Sequence, residues 1–161
     1  MASRVRGITK LRRTLRRMEP EIRGEVQGAI ADAAEAIKQD ARSLVPKAEG
    51  DLARSIEVVF SSDKLAAVIG PGAKGARVQK RAASAKRKGR EVRLSTRSRD
   101  LLFQLSKGRW LEFGTKGSPE HGIQPLATHP FMGPAFNLNE RYAVDLVRKA
   151  VNRALRRVTK T

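Results

Sequence analysis

The sequence predicts an α+β fold: a small antiparallel sheet packed with a long N-terminal helix and a long C-terminal helix, with a long basic loop or arm inserted. Three observations carry this reading. Ile22, Val26, Ile30, Ala33, Ile37, Ala41 and Leu44 recur at helical spacing along one face. Leu138, Tyr142, Leu146, Ala150, Ala154 and Val158 do the same near the C-terminus, widened by Ala143, Val147, Val151 and Leu155. Between these stretches, the β-rich runs Ser55–Phe60 and Leu65–Ile69 flank Ser61-Ser62-Asp63-Lys64, the pattern of a hairpin.

Taken in order, Ile8, Leu11, Leu15 and Met18 alternate with Lys10, Arg12, Arg13, Arg16 and Arg17, as in a short amphipathic basic helix within an arm over 1–19. Such an arm suits packing on a neighbouring subunit or the main helix, with an anionic membrane surface as the other reading. It has no apolar core of a secretory signal, although it is Arg-rich and acid-free as transit peptides are. Residues 20–161 form one domain. Pro20 breaks the arm and suits the first turn of the next helix, with Glu21 complementing its positive end. Val45-Pro46 ends that helix, and Lys47 to Leu52 reads as a turn.

From Pro71 to Arg99 the apolar residues are mainly alanines, so the tract reads as a loop that buries little surface. Leu101–Leu105 restores a core pattern and suits a third strand. Trp110–Thr115 closes a short element of either type, and residues 116–134 read as a Gly/Pro-rich structured loop. The last helix is expected from about Pro134 to Val158.

The chain has 161 residues, 40% of them apolar, which is enough for a core without staples. It has no cysteine, which excludes disulfides, thiolate zinc sites and thiol catalysis. It has no apolar run long enough to span a bilayer. The net charge of +18 is unevenly spread. Residues 1–18 carry +7 and residues 71–99 carry +10, whereas residues 19–70 carry −4. The excess therefore belongs to the arm and the insert.

Motifs for chemistry are weak. Gly70-Pro71-Gly72-Ala73-Lys74-Gly75 follows a predicted strand, with Glu91 near the distance of a ribose-binding acid. No apolar helical stripe follows it, and Pro71 lacks an N–H for a phosphate cradle, so a flexible turn is the better reading. Glu120, His121 and His129 match no zinc-ligand spacing, and Ser118 near His121 has no placed acid to complete a triad. No catalytic, cofactor-binding or metal-binding residue is nominated; the protein is read as not an enzyme and as needing no cofactor.

The basic insert is the strongest physical feature. Lys80, Arg81, Lys86, Arg87, Lys88, Arg90 and Arg93 could neutralise phosphates or meet an acidic protein surface; a solvated charge run is the bland reading. The tract has no aromatic residue for base stacking, so contact with double-stranded DNA would be non-specific.

Three ordered stretches resemble a known family. Leu44 to Ile56 resembles a helix end passing through a Val-Pro-x-x-x-Gly-x-Leu-x-x-Ser-Ile turn, with Pro46, Gly50, Leu52 and Ser55 at its fixed positions. Trp110-Leu111-Glu112-Phe113-Gly114-Thr115 resembles an aromatic/aliphatic-Glu-Phe-Gly-Thr signature. Pro130-Phe131-x-x-Pro134-Ala135 resembles the run that opens a C-terminal helix. The ordered set is similar to the head–tail joining (tail-completion, minor tail or neck) family of long-tailed bacteriophages. Glu49 departs from the Thr usual before the glycine, and the two basic tracts lie outside the motifs.

The resemblance implies a structural virion protein in the neck or tail, assembled in the bacterial host cytoplasm. It implies a homo-oligomeric ring, a hexamer, through which double-stranded DNA passes. Its neighbours would be head-closure or adaptor proteins and tail-tube or terminator proteins, with no membrane. Physically, Pro46 stops a helix, Gly50 allows a special turn, and Gly114-Thr115 turns the chain. Pro130 and Pro134 stiffen a loop in which Phe131 is an anchor, either within one subunit or against the next. The alternative is a monomeric basic nucleic-acid-binding protein of ribosomal or chromatin type.

Overall fold

The computed structural model describes residues 20–117 and 124–158. The basic arm read from residues 1–19 lies outside them, as do Ser118, Glu120 and His121. The fold is α+β, mostly helical with one two-stranded antiparallel sheet. Helix α1 (Pro20–Leu44) buries Ile22, Val26, Ala29, Ala33, Ala34, Ile37 and Ala41. Helix α5 (Met132–Val158) lies antiparallel along it. Arg157 pairs with Glu25 toward one end of the two helices, and Asn139 Nδ2 donates to Asp40 Oδ2 at 2.7 Å toward the other.

Asn139 corrects one expectation about α5. It is buried, and its amide also donates to the Ala135 carbonyl at 2.9 Å. Having Asn139 inward places the buried stripe on Ala135, Asn139, Ala150 and Ala154, and it turns Leu138 and Tyr142 into solvent. The apolar residues of α5 exceed one face, so periodicity alone does not select the side that packs.

After Pro46 the chain forms a 3-10 turn, Lys47–Glu49, and a short helix α2 (Gly50–Ser55). Leu52 is fully buried, and Ser55 Oγ donates to its carbonyl at 2.7 Å. Gly50 does not supply the special turn expected of it. Its φ of −60° and ψ of −28° are ordinary helical values open to any residue.

Strands β1 (Ile56–Phe60) and β2 (Ala67–Pro71) pair with Val58 opposite Ile69. The second strand starts two residues later than the composition suggests. Leu65 leaves the strand to pack on Val26 of α1, while Asp63 Oδ1 accepts the Leu65 N–H at 3.2 Å and Gln27 Nε2 donates to the Asp63 carbonyl.

Two further expectations change. The insert is not simply a loop, because helix α3 (Gly75–Arg87) occupies its centre. Its alanines are strong helix formers, and Val78, Ala82 and Ala85 form a narrow, partly buried stripe facing helix α4 (Thr96–Phe113). Leu101–Leu105 is likewise not a third strand but part of α4. Ser95 caps that helix, its hydroxyl accepting the Ser98 N–H at 3.3 Å. A five-residue apolar run fits either period; the cap and the continuation to Phe113 decide for helix.

The turn between β2 and α3 packs directly on α4. Gly72 has φ +54°, and a Cβ there would stand 2.3 Å from the Leu101 carbonyl oxygen. Gly108 of α4 receives the Pro71 ring, where a Cβ would be 2.3 Å away. The Gly-x-Gly-x-x-Gly stretch is thus a close-packing device between sheet and helix. The main core gathers Ile37, Ala41 and Val45 of α1 and its end, Leu52, Ile56, Leu111, Phe131 and Ala135. Burying Phe131 completely contributes roughly 1.5–3 kcal/mol.

Candidate assembly surfaces

Glu112, in the last turn of α4, holds the start of α5. Its Oε2 accepts the N–H groups of Phe131 and Met132 at 2.9 Å each, and its Oε1 accepts that of Gly133 at 2.8 Å. These donors open the helix and lack partners within it, and a carboxylate also complements the positive helix end. The acid therefore caps a helix that begins twenty residues later in the chain.

Gly114 then reverses the backbone at φ +70°, with the Leu126 carbonyl oxygen 2.8 Å from where a Cβ would sit. Thr115 pairs with Leu126 through both backbone hydrogen bonds at 3.1 Å, and Thr115 Oγ1 accepts the Leu126 N–H. The His129 N–H donates to the Leu111 carbonyl at 2.7 Å, so the exposed Pro130 leads into the buried Phe131. The motif residues Glu112, Gly114, Thr115, Phe131, Pro134 and Ala135 are brought together at this α4–α5 joint. Pro46, Gly50, Leu52 and Ser55 lie at the α1–β1 connection, where Leu52 joins the same core.

Two members of the signature point elsewhere. Trp110 is 45% and Phe113 76% exposed, and Phe103, one further helical repeat back, is 54% exposed. Phe103 and Trp110 meet edge to face with centroids 6.4 Å apart. They lie opposite the buried Gly108 and Leu111, so α4 is apolar on both sides. Beside Phe113, a groove of about 240 Å³ runs between β2, α4 and Met132, lined by Val68, Pro71, Leu105 and Phe131 among others.

The cationic candidates form a second surface. Lys80, Arg81, Lys86 and Arg87 are exposed on α3, and Lys88, Arg90 and Arg93 follow it, also exposed. Arg77, Lys80, Ser84 and Arg87 recur at three- and four-residue spacing on the outward side, a stripe about 15 Å long at 1.5 Å per residue. Arg77 also donates to the Phe60 carbonyl at 3.3 Å. In the sequence these charges read as a loosely held run; helix formation sets them in a row.

Behind these surfaces, Lys107 of α4 ties α2 down by pairing with Glu49 and Asp51. Hydrogen bonds from Gln104 and then Lys107 hold the Asp51 carboxyl down at about 2. Hydrogen bonding to Glu49, then to Asp51, raises the Lys107 ammonium above its ordinary value. Among the described residues, no group of three or more His, Asp or Glu side chains is placed to hold a metal ion. Among the same residues, no helix is long and apolar enough to cross a membrane.

Comparison with known protein families matches residues 9–114 to HK97-gp10_like, the bacteriophage HK97 gp10 putative tail-component family. That is well over half of the chain. The chain belongs to this phage tail-component family. The matched span includes most of the basic arm and all of residues 71–99, both of which lie outside the three motifs. The Pro130–Ala135 motif lies beyond the match, yet the Glu112 cap fastens it to the matched part. No curated protein and no solved structure matches the chain.

Proposed function

We propose that this tail-component family member is a non-enzymatic virion subunit that forms a ring, sixfold in order, at the junction of head and tail. Double-stranded DNA passes through the ring. Head-closure or adaptor proteins lie on one side and tail-tube or terminator proteins on the other. The carrying observation is family membership over residues 9–114. Two surface features support the reading: large apolar side chains left in solvent on α4 and α5, and the outward cationic stripe on α3. Exposed aromatics at this density mark surfaces that other proteins cover. A +10 tract repeated around an axis repels itself unless phosphates or acidic neighbours screen it, so the stripe faces DNA or an acidic ring.

The test is a particle lacking this protein. The expected outcome is DNA-filled heads and separate tails that do not join, with wild-type particles showing a ring at the neck. Joined, infectious particles without it would overturn the role. Neutralising Lys86, Arg87, Lys88 and Arg90 should lower particle yield or DNA retention; unchanged yield and infectivity would remove the cationic tract from the mechanism. The same stripe favours one other reading, a monomeric nucleic-acid-binding protein. That reading expects a monomer without nucleic acid and binding that weakens steeply with salt.

A further inference from the structure

The chain has one Trp, one Tyr and five Phe, and five of these seven rings stand largely in solvent. They are Phe103, Trp110 and Phe113 on α4, and Phe136 and Tyr142 on α5, each 45% exposed or more. On α5, Leu138 is 69% exposed and lies one turn before Tyr142. The molecule therefore shows two apolar strips on different helices, while Phe131 alone among the rings is fully buried.

We propose that the Phe103/Trp110/Phe113 strip of α4 in one copy packs on the Leu138/Tyr142 strip of α5 in the next, head to tail. This deepens the ring reading and rests on it by naming the surfaces in contact. Two arguments favour a second copy in this arrangement.

The first is area. With about 150–250 Å² of surface per aromatic side chain, the α4 strip leaves on the order of 350 Å² of apolar area open. A standard interface buries about 800 Å² per partner, a little over half of it non-polar. One strip thus supplies most of the apolar part of one such face.

The second is charge. The α4 strip is flanked by the exposed Arg99 and Arg109, with Asp100 as the acid beside Phe103, and α3 lies against the same helix with its own cations. Two α4 strips meeting across a twofold axis would bring these cations together, which is unfavourable. The α5 strip is mixed in sign, with Asp145 among Arg141 and Lys149. It can offer Asp145 to the arginines of α4, and Asp100 of α4 can meet its cations. Contact between two different patches is heterologous, and such contacts generate rings when the rotation closes.

The experiment uses the full chain and sedimentation velocity. One variant carries Phe103→Ser with Phe113→Ser and keeps Trp110; the other carries Leu138→Ser with Tyr142→Ser. Because all four side chains are exposed, both variants should keep the wild-type far-ultraviolet spectrum, and their melting temperature should match that of wild type diluted below its assembly transition. Wild type is expected to assemble and each variant alone to sediment as a monomer. An equal mixture should form a one-to-one dimer, because each variant retains the strip that the other needs. Trp110, the chain's one tryptophan, should then shift its emission to shorter wavelength. The wild-type protein should show the reverse shift when diluted through its assembly transition, a readout that needs no variant.

Variants that still assemble, a mixture that stays monomeric, or self-dimerisation of the α5 variant would each overturn the contact and leave the ring reading standing. So would a wild-type oligomer in which Trp110 emission does not respond to dilution. Wild type that stays monomeric at the highest attainable concentration would overturn the ring reading and this contact together.

Discussion

Replacing Glu112 with Ala tests the logic of the α4–α5 joint most directly. The carboxylate accepts three backbone N–H groups, from Phe131, Met132 and Gly133, at 2.8–2.9 Å. A hydrogen bond to a charged group is worth roughly 1.5–3 kcal/mol, and a buried donor left unpaired costs about as much. The Gly133 bond is exposed, so water can replace the carboxylate there. Phe131 and Met132 are part-buried at these bonds and carry most of the effect, which gives about 3 kcal/mol for Glu112→Ala. For a chain of this length that corresponds to a fall in Tm of roughly 6–12 °C. Glu112→Gln keeps one acceptor oxygen and loses the charge, so its expected cost is smaller, about 1–1.5 kcal/mol. The assay is thermal unfolding of the purified protein by circular dichroism at neutral pH. Glu140→Ala, on the exposed side of α5, serves as a control expected to change little. If Glu112→Ala melted with the control, the cap would not hold the helix start and the account of the motif acid would fail.

Gly72→Ala places a Cβ against the Leu101 carbonyl oxygen at a φ of +54°, and should destabilise by about 2–4 kcal/mol through strain and overpacking. Amide exchange is expected to speed up along β2 first; unchanged exchange would argue against the close approach. Asp51 has a depressed carboxyl, so its contribution is fully present above the ordinary value of 3.8 and is lost as pH falls through about 2. Lys107 is raised above 10.5, so its contribution is present below that value and fades as pH climbs past it. The stability gap between wild type and Asp51→Asn should accordingly stay level near neutrality and close on strong acidification, measured by denaturant unfolding across pH. Replacing Lys80, Arg81 and Arg87 with Gln should lower the slope of log affinity for duplex DNA against log salt by about 0.9 for each phosphate no longer neutralised. A slope unchanged by all three would separate α3 from DNA.

Much of the architecture is legible in the sequence because its periods are unambiguous. Ile22 to Leu44 can only be a helix with one buried face, and the two β-rich runs around Ser61–Lys64 can only pair locally. The differences between sequence and structure have a common physical origin. Leu101–Leu105 is too short to display a period, and α4 carries apolar residues both inward, at Leu111, and outward, at Trp110 and Phe113. The alanines of residues 75–87 bury little surface by themselves, yet helix propensity and a shallow stripe against α4 suffice to order them. Gly50 does not adopt the turn conformation its motif suggests, while Gly72 has a positive φ, for a reason that lies far along the chain in Leu101. Of the candidate site, the motif residues are visible as a set, but the work of Glu112 is not. No local pattern reveals that an acid at the end of one helix meets three N–H groups at the start of another.

By itself, the sequence determined the α+β class, the two long helices, the hairpin, the concentration of charge in the arm and insert, and the motifs that point to the tail-component family. All of these depend on interactions within a few residues or on simple composition. Only the tertiary structure decided which apolar residues are core and which are surface. Leu138 and Tyr142 share a helix with Ala150 and Ala154, and the burial of Asn139 against Asp40 turns the first pair outward. Which way a helix faces depends on what lies across from it, and that partner is fixed only when the chain has closed on itself.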